Sequence, residues 1–137
     1  MISFKNILTE AKGDRIKKKI KKDVEKLMDI TPKIFDEESK LKKIISNKFN
    51  IKLDSLSDFQ ELYLTDKSKY NEIKNFIDTN YSKFVKMEQE RHETIENIHT
   101  NLYKLPSDNI AYQKFMNGDY YLDYEPDLIE LLHDLDA

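Results

Sequence analysis

Three side chains in the second half of the chain have types and a spacing that could bind a metal ion. His92, Glu96 and His99 lie at positions i, i+4 and i+7, so a helix would place them on one face. The spacing of Glu96 and His99 is that of a di-iron carboxylate ligand pair. A ferritin-like centre needs a second such pair and further glutamates from other helices, and the sequence shows neither. We therefore interpret these residues as exposed polar side chains and expect neither a metal nor another cofactor.

The sequence contains no motif that would arrange a nucleophile and a base for catalysis. Serine, histidine and aspartate all occur, but no nucleophile elbow, phosphate-binding loop or HExxH motif positions them. The absence of cysteine excludes disulfides, thiol catalysis and cysteine-ligated zinc, and it fits a reducing compartment. We therefore predict that the protein is not an enzyme.

The composition is typical of a helical protein. The 137 residues include only 2 glycines and 3 prolines, and 36% are charged while 39% are hydrophobic. No apolar run approaches the roughly 20 residues that a membrane span needs, so no membrane partner is expected. We predict an all-α fold, a compact helical domain of about five to six helices organised around one long helix. This domain would comprise residues 13–137, after a leader or docking arm at residues 1–12.

The longest segment without proline or glycine is predicted to be that central helix. It extends from Thr65, a plausible N-cap, to Leu105, and its apolar residues recur mostly every three or four positions. Asp78-Thr79-Asn80 places three poor helix formers in a row, so a break is expected there. Earlier in the chain, Thr31-Pro32 is expected to begin a new helix that turns Phe35 and Ile44 inward.

Six lysines surround a clean apolar stripe near the N terminus. Ile16, Ile20, Val24 and Leu27 form the stripe of a basic amphipathic helix. We name its basic residues the lysine face: Lys17, Lys18, Lys19, Lys21, Lys22 and Lys26. Such a helix could contact DNA, an anionic surface or an acidic partner, or could simply be a solvated face. Without an interleaved arginine or aromatic residue to read bases, any DNA contact would be weak and nonspecific.

Charge is distributed unevenly along the chain. Residues 1–52 hold 15 basic and 8 acidic side chains, whereas residues 53–137 hold 8 basic and 18 acidic ones. Aromatic residues join the acidic ones in a segment that we name the acidic aromatic surface: Asp119, Tyr120, Tyr121, Asp123 and Tyr124. This surface could bind a basic partner or imitate DNA phosphates toward a nuclease. The alternative is a solvated helix terminus.

The first eleven residues, Met-Ile-Ser-Phe-Lys-Asn-Ile-Leu-Thr-Glu-Ala, have the pattern of a short amphipathic helix that Gly13 would end. Periodicity alone favours a helix that docks on the body of the protein. The segment also resembles the capsid-targeting leader of internal head proteins from T-even-type phages. The matching positions are Met1, Phe4, Lys5, Leu8, Glu10 and Ala11.

This resemblance implies a function and a site of cleavage. In that family the leader carries the protein into the prohead core, and the prohead protease cuts after the glutamate of an aliphatic-x-Glu site. Here the site would comprise Leu8, Glu10 and Ala11, and cleavage would release residues 11–137. The resemblance implies a virion protein inside the head, with the prohead protease and head components as partners, that reaches the host cytoplasm with the DNA. There it could inhibit a host defence enzyme.

Two other functions remain open. One is a prohead core or scaffold component. The other is an intracellular, non-enzymatic binding protein, such as an inhibitor or a transcription-associated factor, that acts on a protein partner through its charged surfaces.

Overall fold

The structure is a computed structural model that describes the backbone of residues 4–137 and the side chains of residues 13–137. Within that range the regular elements are six α-helices and one 3-10 helix, no strand occurs, and 80% of the chain is helical. The predicted all-α fold with one long helix is confirmed. None of the helices in the described part of the chain combines the length and the apolar character needed to cross a membrane.

The longest helix, α1, extends from Phe4 to Phe49. Its apolar residues recur at helical spacing and are buried: Ile16, Ile20, Val24, Leu27, Ile30, Ile34, Leu41 and Ile45. Burial of such a stripe supplies most of the stability of a helix in a folded protein. The identity of the long helix was therefore wrongly predicted, because it lies in the first third of the chain and not at residues 65–105.

Two predicted helix boundaries lie inside α1, which corrects both expectations: Pro32 was expected in the first turn of a new helix, and Gly13 was expected to end one. Pro32 removes a backbone donor and costs about 3 kcal/mol in a helix interior, but burial of Ile30 and Ile34 contributes about 1.5–3 kcal/mol each. Gly13 costs only about 1 kcal/mol relative to alanine. Neither cost is sufficient to interrupt a helix whose apolar stripe continues to be buried.

The end of α1 is a left-handed turn at Asn50, whose φ is 50°. The N–H of Ile51 donates to the carbonyl of Ser46 at 3.2 Å, the six-to-one hydrogen bond of a Schellman cap. Asparagine tolerates this backbone conformation better than most residues. The loop that follows α1 therefore begins at Asn50.

A 3-10 helix, Leu56–Glu61, and a short helix α2, Leu62–Thr65, follow this loop. The Asp58 carboxylate accepts hydrogen bonds from the backbone N–H of Ser55 at 2.9 Å and of Asp54 at 3.2 Å. The N-cap of the 3-10 helix is therefore Ser55. These hydrogen bonds, with that from Ser55 as the largest cause, hold the pKa of Asp58 below its usual value.

The segment predicted as one long helix is two helices, α3 at Lys67–Asn80 and α4 at Ser82–Tyr103. The break lies at Tyr81, directly after the three poor helix formers, where φ is −130° and ψ is 41°. The Asn80 side chain donates to the carbonyl of Phe76 at 3.0 Å, an example of the local side-chain bonding that competes with helix continuation.

Two shorter helices complete the chain. Helix α5, Ile110–Met116, is capped by the Asn109 side chain, which accepts from the N–H of Ala111 at 2.8 Å. Gly118, with a φ of 75°, follows its end. Helix α6, Glu125–Asp134, begins with a proline in its first turn and with acidic residues near its positive end.

The chain divides into two units, each with its own core. Unit 1 comprises Met1–Asp29 and Arg91–Ala137, and unit 2 comprises Ile30–Glu90. The described apolar core of unit 1 comes from α1, α4, α5, α6 and the segments beside them: Ile16, Ile20, Val24, Leu27, Ile98, Leu102, Leu105, Ala111, Leu122, Leu128, Leu131 and Leu135. The described core of unit 2 is smaller: Ile30, Ile34, Leu41, Ile45, Leu56, Phe59, Ile73, Ile77 and Phe84.

Phe35 and Ile44 were predicted to point toward the core. This prediction was wrong, because Phe35 is 47% exposed and Ile44 is 38% exposed. Each is adjacent in sequence to a residue of the buried stripe, Ile34 or Ile45. Neighbouring positions on a helix differ by about 100° in direction, so both side chains fall at the edge of the stripe. The prediction failed because it considered only that these residues are apolar, and not the direction of their side chains around the helix.

Candidate functional site

The side chains of the predicted cleavage site, Leu8, Glu10 and Ala11, lie outside the described residues. The backbone of α1 begins at Phe4, so the scissile segment belongs to the start of that helix. Gly13 is also helical, and its Cα has no neighbour that an added Cβ would meet within 4 Å. Glycine at this position is therefore not required by packing.

The lysine face lies on α1 in unit 1, opposite the buried stripe. Burial of Ile20, Val24 and neighbouring residues fixes the helix so that its lysines point outward. Lys18, Lys19, Lys22 and Lys26 are exposed, and Lys17 and Lys21 are half-buried. The Nζ of Lys21 donates to the Asp136 carboxylate at 2.6 Å and so joins α1 to the C-terminal end of the same unit.

Half of the lysine face lines a groove between α1 and α4 in unit 1. Lys19, Lys22 and Lys26 stand on the α1 side together with Asp23. The α4 side supplies Asn97 and Asn101, whose carboxamides are neutral, and the volume is about 630 Å³. Three cationic groups thus face two amides across the groove, and only one carboxylate is present.

The residues of the acidic aromatic surface differ in their exposure and in their polar contacts. Tyr120 is half-buried and its hydroxyl donates to the Asp134 carboxylate at 2.7 Å, while Asp123 forms an ion pair with Arg91 of α4. Tyr121 and Tyr124 are 65% and 56% exposed, and Asp119 is also exposed. Ile129 of α6, which the sequence analysis did not include, is 52% exposed in the same segment.

A polar network joins α5 to α6 beneath this surface. The Lys114 ammonium donates to Asp134 at 2.9 Å and to Glu130 at 2.8 Å. The hydrogen bond to Asp134, followed by that to Glu130, raises the pKa of Lys114, and burial with the bond to Asp134 raises the pKa of Tyr120. Burial also raises the pKa of Asp134, but the hydrogen bonds from Lys114 and Tyr120 outweigh it and the net pKa lies below its usual value.

The network was missed at the level of sequence, although one signal was present. Asp134 occupies a position within the apolar stripe of α6, between the buried Leu131 and Leu135. A carboxylate in such a stripe needs partners, because burial of an unpaired charge is costly. Its partners lie 14 and 20 residues earlier in the chain, and no local pattern identifies them.

The histidines of the possible metal set have other partners. The Nε2 of His92 lies 2.9 Å from the Glu96 carboxylate, and the ring of His99 stacks on Phe115 with centroids 5.5 Å apart. Among the residues that the structure describes, no group of three histidine, cysteine, aspartate or glutamate side chains is placed to hold a metal ion.

Unit 2 contains an aromatic cluster and two surface cavities. Tyr70 stacks on Phe59 at 5.6 Å and contacts Tyr63 edge-on at 5.3 Å. One cavity, about 600 Å³, places two lysines beside two carboxylates, and the other, about 330 Å³, has an apolar floor and a mixed rim. The first lining is balanced in charge, whereas the second has three carboxylates and one lysine. The two charged surfaces that the sequence analysis identified both lie in unit 1.

Comparisons with models of protein families, with curated proteins and with solved structures give no match to this chain.

Proposed function

We propose that this chain is a phage virion protein of the internal-head type. Residues 1–10 would direct it to the prohead, the prohead protease would cut after Glu10, and the remaining chain would be packed beside DNA and delivered with it. The observation that carries this proposal is the N-terminal resemblance, with Phe4, Leu8, Glu10 and Ala11 at the positions of the leader motif. In this proposal the body acts by binding and not by catalysis.

The lysine face supports the packing of the body beside DNA. Four of its six lysines are exposed on one helix, which is the arrangement that a contact with a phosphate backbone needs. Lysine is a point charge without the fork of arginine, so the contact would be weak and independent of sequence. Salt would weaken it steeply, because each neutralised phosphate releases a counterion.

Cleavage requires that the first turns of α1 unwind, because a protease binds its scissile segment in an extended form. The first four N–H groups of a helix have no partner within it, so unwinding from this end costs less than unwinding from the middle. Gly13 lowers that cost further, since glycine is less favourable in a helix than alanine by about 0.5–1 kcal/mol. In this proposal glycine eases trimming without breaking the helix.

Mass spectrometry of purified particles tests the proposal. The expected chain begins at Ala11, and Glu10→Ala should leave the leader attached in the particle without changing the fold of the body. Gly13→Ala, which meets no neighbour, should slow the cleavage. A chain found intact in mature heads would contradict trimming. A chain found in proheads and absent from mature heads would favour a core or scaffold component.

A second candidate function is favoured by the exposure of Tyr121 and Tyr124. Residues 117–137 hold seven carboxylates and neither lysine nor arginine, so these two rings and Ile129 are exposed within a strongly acidic segment. Exposed tyrosines are frequent energetic centres of protein interfaces, and negative charge around them favours a basic partner. The partner would be a host protein with a basic surface, such as a defence enzyme that acts on DNA.

Affinity measurements with purified host enzymes test this second function. Tyr121→Ala and Tyr124→Ala should weaken binding at least tenfold for a partner held by these rings, which is the effect of a typical interface hot spot. Tyr103→Ala is a matched control, because Tyr103 is 63% exposed in the same unit but lies outside the acidic segment. Equal losses in all three variants would exclude this surface as the binding site.

A further inference from the structure

We infer that the lysine face and the acidic aromatic surface are complementary docking surfaces through which copies of this chain associate. The lysine face of one copy contacts the acidic aromatic surface of a second copy. This contact goes beyond the proposed function, and it depends neither on the leader and its cleavage nor on a host partner.

Three lysines of the lysine face are exposed and available to a partner. Within the part of the chain that the structure describes, Lys18, Lys19 and Lys22 form no ion pair, whereas Lys26 already has an interaction partner. Lys22 follows Lys18 by four positions and Lys19 by three, so the three ammonium groups share one side of α1. The buried stripe holds this helix in place, so the backbone of the lysine face does not have to be ordered on docking.

The acidic aromatic surface combines available carboxylates with exposed apolar area. Asp119 and, beside the surface, Glu125 are exposed and form no ion pair with any other described residue. Tyr121 and Tyr124 are 65% and 56% exposed. Ile129, 52% exposed, follows Glu125 by four positions on α6, so these two side chains share one face of that helix. A partner that covers this region must therefore match both negative charge and aromatic rings.

Lysine side chains match both. The ammonium group pairs with a carboxylate or lies over the face of a tyrosine ring, and the aliphatic stem covers apolar area. The chain makes such lysine–aromatic contacts within unit 2, where the Nζ of Lys67 lies 5.1 Å from the ring centroid of Tyr63 and the Nζ of Lys48 lies 4.9 Å from that of Phe76. Residues 14–29 contain no aromatic residue, and residues 117–137 contain neither lysine nor arginine. Each surface therefore supplies what the other lacks.

A second copy is the partner that always carries the complementary surface. Both surfaces belong to unit 1, so every copy presents one of each. The formal net charge of the whole chain is only −3, so repulsion between copies is weak. Because the paired surfaces are unlike, a contact between two copies leaves one surface of each kind free for a further copy. The charges stay close to water, so the association is weak and sensitive to salt.

Sedimentation equilibrium of the full chain at about 50 mM and about 500 mM salt tests this inference. Nucleic acid is removed first, because it could join copies by binding their lysine faces. At low salt the average mass should rise with protein concentration above that of one chain, and at high salt it should return to that of one chain. A mass of one chain at every concentration in low salt would overturn the inference.

Two variants show which surfaces are in contact. The lysine variant combines Lys18→Gln, Lys19→Gln and Lys22→Gln, and the ring variant combines Tyr121→Ala with Tyr124→Ala. Each variant alone should associate with itself at least tenfold more weakly than the natural sequence. An equal mixture should form a complex with one copy of each, because the lysine variant keeps the acidic aromatic surface and the ring variant keeps the lysine face. A mixture that stays monomeric would contradict the pairing of these surfaces.

Control variants separate docking from a general effect of charge or exposure. Lys43→Gln, Lys86→Gln and Lys104→Gln together remove the same charge from exposed lysines outside the lysine face, and this variant should associate almost like the natural sequence. Tyr103→Ala should also have little effect, although Tyr103 is 63% exposed. Losses equal to those of the lysine and ring variants would overturn the inference. Circular dichroism should show the same helical content throughout, and particle mass spectrometry tests the virion assignment separately.

Discussion

The lysine face and the acidic aromatic surface are both charged parts of unit 1, but they are built differently. The lysines stand on a helix that apolar burial already holds in place, and Lys21 is tied to Asp136 near the C-terminal end of the same unit. The acidic segment is held by its own polar contacts, among them Arg91 with Asp123 and Asp134 with Lys114 and Tyr120. The lysine face is therefore held in place by the apolar core under its helix, whereas the acidic aromatic surface is held in place partly by its own charged side chains.

This difference predicts where binding and stability can be separated. Exposed charges with solvent around them contribute little to stability, since pairing gains in water are small. A buried carboxylate that accepts two hydrogen bonds contributes more, because removing it leaves its donors without an acceptor. Substitutions in the lysine face should consequently alter binding alone, and substitutions beneath the acidic aromatic surface should alter the fold of unit 1.

The largest loss of stability is expected for Asp134→Ala. The side chain of Asp134 is 9% exposed and accepts hydrogen bonds from Lys114 at 2.9 Å and from Tyr120 at 2.7 Å. Its removal should lower the free energy of unfolding by about 2 kcal/mol, since two half-buried donors lose a charged acceptor. Urea denaturation followed by circular dichroism measures this loss.

The matched control is Glu130→Ala, which removes the other carboxylate that Lys114 contacts. Glu130 lies on the same helix, but its side chain is 50% exposed, and water can replace it. Glu130→Ala should therefore lower the free energy of unfolding by clearly less than Asp134→Ala does. If the two variants were equally stable, burial of the network would not be what distinguishes the acidic aromatic surface.

The second effect is a loss of stability in acid. Burial raises the pKa of Asp134, but hydrogen bonds from Lys114 and Tyr120 hold it below the usual value of 3.8. A group with a depressed folded pKa contributes stability that is present above the unfolded pKa and is lost as pH falls through the folded pKa. The contribution should therefore disappear below about pH 4.

Urea midpoints at about pH 6 and about pH 2.5 for the natural sequence and Asp134→Asn test this dependence. The difference between the two proteins should be larger at the higher pH and should shrink in acid. Asp58 and Asp136 also have lowered pKa values and remain in both proteins, so they contribute to the acid sensitivity that is common to the two. A difference that stays constant across this range would exclude ionised Asp134 as the stabilising species.

The smallest change in stability is expected for Lys21→Gln. Lys21 pairs with Asp136 at 2.6 Å, but the two side chains are 35% and 62% exposed, so water competes with the pair. We expect almost no change in the urea midpoint and a slightly higher pKa for Asp136, which NMR titration of that carboxyl would show. A loss as large as that of Asp134→Ala would mean that the lysine face also supports the fold.

Prediction from sequence succeeded where the information was local and periodic. The stripe of Ile16, Ile20, Val24 and Leu27 indicated a helix with its lysines outward, and these four residues are buried. The break before α4 was expected at Asp78–Asn80 and lies at the next residue, Tyr81. In these places the side-chain spacing and the poor propensities of a few residues were sufficient.

Prediction failed where packing outweighed a local signal. Pro32 and Gly13 mark helix ends by propensity, yet both lie inside α1, because burial of neighbouring isoleucines outweighs their cost. Phe35 and Ile44 are apolar, yet they fall at the edge of the buried stripe. A sequence states how apolar a residue is, but not how wide the buried face of its helix will be.

The sequence by itself determined the helical class, the lysine face and the acidic composition of the C-terminal segment, because each depends on residue type and on spacing within a few turns. Only the tertiary structure decided which charges are structural. Asp134 contacts Lys114 and Tyr120, and three lysines of α1 line one groove with two asparagines of α4, across sequence separations that no local pattern specifies. Distant residues come together because burying the apolar stripes of several helices leaves their polar flanks facing one another.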